Sequence, residues 1–328
     1  MDETFKLLQT HFPSEVCFVV LAYLKQPVDA IRAGLWQVLL CDASYPLTKL
    51  GGYAVWREAA KQGSLELIEE LHLRNIPFRN NDVVDTAAWN GQLDVLRWIL
   101  GVHPDTPCNG AIETAAAYGH MEVVKWLHAN SSEGCWRGAM VRAAENGHLE
   151  VVKWLHTNRS EGCSTCAMDR AAKNGHLEVV KWLHANRSEG CSRDAMDRAA
   201  GNGHLEIVKW LHANRSEGCS RDAMNAAATH GHLEVVKWLH TNRSEGCSRD
   251  AMDRAAENGH LEIVKWLHTN RREGDTTRAM EWAAESGHLE IVRWLHVNRS
   301  EGCTEDALWW AAKIGRMELE KRLREHHR

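Results

Sequence analysis

A 28-residue repeat dominates this chain of 328 residues. From Gly63 to Gly315 a glycine returns every 28 residues without an insertion, and the phrase G-H-L-E-V-V-K-W-L-H recurs with little change through the middle copies. When each repeat starts eleven residues before its glycine, ten repeats cover residues 52–328. A supersecondary unit copied in tandem stacks on its neighbours. The spacing therefore predicts one continuous domain of ten repeats, preceded by an N-terminal helical cap over residues 1–51.

Each repeat is predicted to form two short helices joined by a glycine turn. In the repeat from Ser192 to Cys219, Ser192 is suited to cap the first helix, which should end near Asn202 and Gly203. Apolar residues share one face of the first helix and a wide arc of the second. These residues are Ala195, Met196, Ala199, Ala200, Leu205, Ile207, Val208 and Leu211. The expected fold class is all-α, an elongated right-handed solenoid of stacked antiparallel helix pairs.

The two ends of the array depart from the repeat in a way that is typical of capping units. In the last repeat Glu320 and Arg322 stand where earlier copies have valine and tryptophan, and in the first repeat Glu70 stands at the tryptophan position. A terminal repeat has no neighbour on its outer side, and polar residues there make that outer surface compatible with solvent. The last repeat is therefore expected to be a polar C-terminal cap.

Charge and hydropathy exclude several classes of partner. The net charge of −5 gives no excess of positive charge to neutralise phosphates, which disfavours nucleic acid and acidic membranes. The longest apolar run, Val16 to Leu24, is shorter than the roughly 20 residues of a membrane span and lacks the flanks of a secretory signal. We therefore expect a soluble, monomeric, cytoplasmic protein with protein partners.

Three residue types recur at fixed repeat positions, and we expect structural roles for all of them. Stacked helix pairs separate equivalent cysteines by about 8–10 Å, which is too far for a disulfide, so these thiols should be reduced and pack in loops. The tryptophans should pack as a ladder along the array. The histidines that open and close each second helix lie about 12 Å apart, too far to share a zinc ion, and should make turn and capping hydrogen bonds. The cysteines are Cys135, Cys163, Cys191, Cys219, Cys247 and Cys303.

No catalytic motif stands apart from the repeats. The sequence has no phosphate-binding glycine loop, no G-x-S-x-G and no isolated nucleophile with a base. We therefore expect a chain that is not an enzyme, with no catalytic, cofactor-binding or metal-binding residues.

The candidate partner-binding residues are those on the first helices that differ between copies, because burial does not dictate them. Exposed aromatic residues and arginines are typical anchors of protein interfaces. The candidates are Trp89, Tyr118, Trp136, Arg142, Arg170, Arg198, Arg254, Trp282, Trp309 and Trp310. Two alternatives remain open. Trp309 and Trp310 could pack under the C-terminal tail, and the arginines could form a solvated face with Asp169, Asp197 and Asp253 in which opposite charges screen one another.

The phrase A-A-x-x-G-H-L-E-V-V, at 143–152 and again at 171–180, resembles the second half of the ankyrin repeat. The usual ankyrin unit has about 33 residues and opens with T-P-L-H-x-A, where this chain has D-A-M-D-R-A. The variant W-L-H-x-N is similar to ankyrin-like arrays abundant in oomycetes and some giant viruses. The resemblance implies antiparallel helix pairs without well-formed β-hairpin fingers, and a concave face of first helices that binds proteins.

The N-terminal segment carries a second, weaker resemblance. The run F-P-S-E-V-C-F-V-V-L-A-Y-L from Phe12 to Leu24, followed by Trp36, resembles a degenerate F-box. This resemblance implies docking onto a ubiquitin ligase. The leading hypothesis is therefore a non-catalytic interaction scaffold, and the alternative is a substrate-recognition adaptor of a ubiquitin ligase.

Overall fold

A computed structural model of the chain describes residues 52–130, 136–159, 162–271 and 277–298. These residues form eighteen α-helices and no strand, which confirms the all-α class. The predicted cap over 1–51 and the last repeat beyond residue 298 lie outside the described residues. The helices are α1 Gly52–Gln62, α2 Leu65–Leu73, α3 Asn80–Trp89, α4 Leu93–Val102, α5 Asn109–Ala117, α6 Met121–Asn130, α7 Trp136–Glu145, α8 Leu149–Asn158, α9 Cys166–Lys173, α10 Leu177–Asn186, α11 Arg193–Gly201, α12 Leu205–Asn214, α13 Arg221–Thr229, α14 Leu233–Asn242, α15 Asp250–Glu257, α16 Leu261–Asn270, α17 Thr277–Glu285 and α18 Leu289–Asn298.

The chain divides into two compact units, one comprising residues 1–143 and 150–162 and the other residues 144–149 and 163–328. In the first unit the first helices α1, α3 and α5 pack in succession, and the second helix α2 packs against α4. In the second unit the first helices α9, α11, α13, α15 and α17 pack in succession, and the second helices α14, α16 and α18 do the same. Each unit is therefore a stack of helix pairs.

The pair α11 and α12 shows why this sequence folds in this way. The hydroxyl of Ser192 accepts a hydrogen bond from the backbone N–H of Asp194, so the predicted N-cap is confirmed. The alanines and Met196 of α11 are buried as predicted, together with Ile207, Val208 and Leu211 of α12. Helices of 8–11 residues are marginal in isolation, so their stability comes from this packing. The alanines in particular let neighbouring first helices approach closely.

The turn between the two helices depends on Gly203. Its N–H donates to the carbonyl oxygen of Ala200, and the N–H of His204 donates to that of Ala199, which is the Schellman arrangement of a helix C-terminus. Gly203 has a φ of 79°, in the left-handed region that residues with a Cβ atom adopt only at a cost. The predicted end of the first helix near Asn202 and Gly203 is thereby confirmed.

Candidate functional site

Two of the candidate aromatic residues lie in contact in the first unit. Trp89 is the last residue of α3, and Tyr118 is the C-cap residue of α5. Their ring centroids lie 5.4 Å apart, and the two residues are 53% and 49% exposed. The sequence predicted both as candidates, and the structure joins them in one patch, the Trp89–Tyr118 pair. The third member of the predicted group, Trp136, has its side chain outside the described part of the chain.

A cleft of about 540 Å³ lies beside Trp89 in the same unit. It is lined by α1 and by the C-terminal half of α3. The lining residues are Ala54, Arg57, Glu58, Lys61, Thr86, Trp89 and Asn90. Arg57 and Lys61 were not among the candidates predicted from the sequence, because those candidates stand out only by comparison of equivalent positions of the repeat. Arg57 and Lys61 are four residues apart and therefore share one face of α1, and this spacing is the sequence signal that could have identified them.

The candidate arginines of the second unit are paired with carboxylates. Arg170 Nη1 lies 2.9 Å from Glu145 Oε2, Arg198 Nη2 lies 3.0 Å from Asp194 Oδ2, and Arg254 Nη1 lies 2.8 Å from Glu257 Oε2. The arginine side chains are about half exposed, so these are surface ion pairs that contribute little stability. In the first unit, Arg142 is exposed on α7.

The guanidinium of Arg254 also covers Trp282. Its Cζ atom lies 4.9 Å from the indole centroid, which is a cation–π distance, and Trp282 is half-buried. Trp282 therefore presents less free surface than the sequence suggested. Trp309 and Trp310, its predicted neighbours, lie outside the described residues.

The interpretation of Asp169, Asp197 and Asp253 as members of a solvated face is wrong. Asp197 Oδ1 accepts a hydrogen bond from the backbone N–H of Ser220 at 2.8 Å, and its Oδ2 accepts one from the Ser220 hydroxyl at 2.7 Å. Asp169 binds Ser192 in the same way, and Asp253 is only 1% exposed. Burial is the main cause that raises the pKa of Asp169 and Asp197, and the hydrogen bonds from serine oppose it. The carboxylates of Asp169 and Asp197 therefore connect neighbouring repeats, and that of Asp253 is buried away from a partner.

The histidines that open the second helices also connect repeats. Nε2 of His120 lies 2.8 Å from the carbonyl oxygen of Trp89, and Nε2 of His260 lies 3.1 Å from that of Thr229, so each imidazole N–H donates to the preceding repeat. Their equivalents, among them His176 and His232, make no side-chain hydrogen bond that caps their own helices. At His120 and His260 the predicted turn and capping hydrogen bonds are instead made to the last residue of the first helix in the preceding repeat. Burial is the main cause that lowers the pKa of His176 and His232.

The histidines that close the second helices pack against the tryptophan ladder. The rings of His184 and Trp210 meet at an interplanar angle of 85° with centroids 5.1 Å apart, and Arg215 Nη1 lies 3.3 Å from His184 Nδ1. The same edge-on contact recurs through the second unit and between His128 and Trp154 in the first. The tryptophans are half-buried in these contacts. The ladder is therefore packing between repeats, as the sequence predicted.

The repeated cysteines that the structure describes are reduced and buried. Cys191 lies beside the ion pair between Arg215 and Glu217, and the pKa of its thiol is raised to about 11, chiefly by burial and next by the charge of Glu217. A thiol with so high a pKa is a poor nucleophile at neutral pH. Within the described ranges, no group of three or more His, Cys, Asp or Glu side chains could hold a metal ion.

Comparison with known proteins gives matches in family models and solved structures. Residues 112–156 and 168–212 match the model for ankyrin repeats in many copies, and residues 196–277 match the model for three copies of the ankyrin repeat. The crystal structure of the human ASB11 ankyrin repeat domain is similar at 19% identity, with 56% of this chain and 96% of that chain covered and a TM-score of 0.43. A comparison with curated proteins gives no match. The likeness to arrays of oomycetes and giant viruses stays a prediction.

None of the helices in the described ranges is both long enough and apolar enough to cross a membrane.

Proposed function

We propose that this chain, which carries ankyrin repeats over residues 112–156 and 168–277, is a non-catalytic scaffold that binds partner proteins through its first helices. Ankyrin repeats imply a role in protein–protein interaction, and proteins built from them are generally non-catalytic. The proposed binding face is the concave face formed by the first helices. The proposed protein is a cytoplasmic monomer, with one or more proteins as partners and no nucleic acid.

The observation that carries the proposal is the exposure of the Trp89–Tyr118 pair. Tryptophan and tyrosine dominate the binding energy of protein interfaces, and truncation of one such residue at the centre of an interface costs about 2 kcal/mol or more. The two rings contact each other and leave about half of their surface in water. A partner that covers both rings would remove this apolar surface from water, so we place the centre of the interface here.

The arginines that form ion pairs in the second unit are candidates for the rim of a binding surface. Arg170, Arg198 and Arg254 lie on successive or nearby first helices of the second unit, and each is already neutralised by a carboxylate. Paired and half-exposed charges contribute selectivity and association rate more than affinity. We therefore assign these arginines to the rim of a binding surface.

Affinity capture from the native cell, followed by mass spectrometry, tests this proposal. The variant Trp89→Ala with Tyr118→Ala should lose the captured partner and keep the helicity of the wild-type chain. The matched control is Leu73→Ala with Val297→Ala, which removes two other exposed apolar side chains, both from second helices. Capture of the same partner by the wild type and by both variants would contradict the proposed site.

A second proposed function is that of a ubiquitin-ligase adaptor, which rests on the segment from Phe12 to Leu24. A pull-down with the full chain and with a chain lacking residues 1–50 tests it. Ligase components should be captured only by the full chain. If they are captured equally by the shortened chain, docking through the F-box-like segment is excluded.

A further inference from the structure

We infer that the partner segment bound beside Trp89 is an acidic peptide that carries an aromatic or large apolar side chain. This inference rests on the proposed function, because it assigns the chemistry of the partner at the same surface. It follows from the cations that line the cleft beside Trp89 and from the carboxylates of this chain that do or do not pair with them.

The cleft presents positive charge to solvent. Arg57 and Lys61 are exposed on α1, whereas Glu58, the only carboxylate that lines the cleft among the described residues, is 8% exposed. Lys61 Nζ lies 4.0 Å from Glu58 Oε1, at the limit of an ion pair. Arg57 makes no ion pair or hydrogen bond with any residue that the structure describes. The accessible charge of the cleft is therefore that of two cations.

The aromatic surroundings of these cations extend along the same helices. Tyr53 stands one helical turn before Arg57 on α1, is 46% exposed, and lies under Arg79 with the guanidinium carbon 5.2 Å from the ring centroid. Trp89 lines the cleft and contacts the ring of Tyr118. Exposed cations and exposed aromatic rings thus lie close together on a patch formed by α1, α3 and the C-terminal end of α5.

The carboxylates of α3 do not offset this charge within the cleft. Asp82 and Asp85 are absent from its lining. Asp85 faces α5, since its Oδ1 atom lies 3.3 Å from the position that a Cβ atom would take on Gly110. The remaining candidate cations on first helices of the second unit, by contrast, are each paired with a carboxylate of this chain.

This difference selects the chemistry of the partner. An interface that covered Arg57 and Lys61 without supplying an anion would bury cations without compensation, which is costly, whereas carboxylates of a partner would pair with them and steer association. The exposed rings of Trp89 and Tyr118 require an apolar side chain beside those carboxylates. A volume of about 540 Å³ lies in the range of known ligand pockets, so it holds a few side chains of a peptide.

The test uses the full chain and three pools of synthetic twelve-residue peptides. One pool contains acidic and aromatic residues, the second contains basic and aromatic residues, and the third contains acidic residues without aromatic ones. We expect the wild-type chain to bind the acidic aromatic pool about tenfold more tightly than either of the others. The variant Arg57→Glu with Lys61→Glu should reverse the preference towards the basic aromatic pool.

The matched control is Lys209→Glu with Lys237→Glu, which makes the same change of charge at half-exposed positions of the second helices α12 and α14. This control should keep the wild-type preference. The inference is overturned if the wild type binds acidic and basic aromatic pools equally, if it prefers the basic pool, or if the reversal at Arg57 and Lys61 leaves the preference unchanged.

The variant Trp89→Ala with Tyr118→Ala separates this inference from the proposed function. If that variant loses binding to both aromatic pools while the wild type shows no preference for acidic peptides, the proposed site stands and the inferred chemistry is wrong. If the wild type binds no pool more tightly than this variant does, the result counts against both.

Discussion

Replacement of Asp197 by alanine should loosen the junction between α11 and α13. The carboxylate accepts hydrogen bonds from the backbone N–H and the hydroxyl of Ser220 at 2.8 and 2.7 Å, and the same hydroxyl caps α13 by accepting from the N–H of Asp222. A hydrogen bond to a charged acceptor contributes about 1.5–3 kcal/mol, and loss of the acceptor leaves the Ser220 N–H without its partner. Because Asp197 is only half-buried, we expect a loss of about 2 kcal/mol in the free energy of unfolding.

The chain supplies its own control for this prediction at Asn225, which stands at the equivalent position of the next repeat. Its Oδ1 atom accepts from the backbone N–H of Ser248 at 2.9 Å, and its Nδ2 donates to the Ser248 hydroxyl at 3.0 Å. An asparagine therefore makes both contacts without a charge. Asp197→Asn should be stable to within about 1 kcal/mol of the wild type, in contrast to Asp197→Ala.

Amide hydrogen exchange gives a local readout of this junction. A loss of about 2 kcal/mol corresponds to roughly thirtyfold faster exchange of the Ser220 amide in Asp197→Ala. Urea denaturation followed by circular dichroism measures the effect on the whole array. Equal destabilisation by the alanine and asparagine substitutions, or unchanged exchange at Ser220 in the alanine variant, would refute the reasoning.

The difference in stability between the wild type and Asp197→Asn should depend on pH. Burial raises the pKa of Asp197, so the folded state binds the proton more tightly than the unfolded state does. The charged form therefore costs stability, and this cost develops as the pH rises from the ordinary pKa of aspartate through the raised value. Asparagine does not titrate, so Asp197→Asn should gain stability relative to the wild type across that range.

Three further predictions concern other positions. Gly203→Ala should lower the free energy of unfolding by about 2 kcal/mol or more, because φ is 79° and the new Cβ atom would lie 2.6 Å from Nδ1 of His232. Gly101→Ala should instead stabilise the chain by up to about 1 kcal/mol, because Gly101 lies in a helix and its new Cβ atom would have no neighbouring heavy atom within 4 Å. Equal urea midpoints for the two variants would contradict this prediction. Burial lowers the pKa of His232, so the stability that its neutral imidazole contributes is fully present above the unfolded-state pKa of about 6.5 and is lost as the pH falls through the lowered pKa of the folded state. Thermal melts of His232→Gln should therefore show a smaller fall in melting temperature on acidification than those of the wild type. Iodoacetamide at pH 8 should modify the exposed Cys166 well before Cys191, whose thiol pKa is raised to about 11, and mass spectrometry showing the reverse order would argue against a buried thiol.

The sequence by itself determined the repeat, the two helices and the turn between them. Ser192 as N-cap, Gly203 after the first helix and the buried alanines all follow from interactions within one or two helical turns, which sequence spacing reports directly. The candidate residues Trp89 and Tyr118 were also found in this way, because they break the repeat at exposed positions.

Only the tertiary structure decided which polar residues face a neighbouring repeat. Helical periodicity gives the angle of Asp197 around its own axis and predicts a solvated face, but the stagger between α11 and α13 places its carboxylate on Ser220. The contact between the rings of Trp89 and Tyr118 has the same origin, because the two residues belong to different repeats. The physical reason is that a hydrogen bond or an ion pair between repeats depends on the relative position of two helices, and a repeat period does not contain that distance.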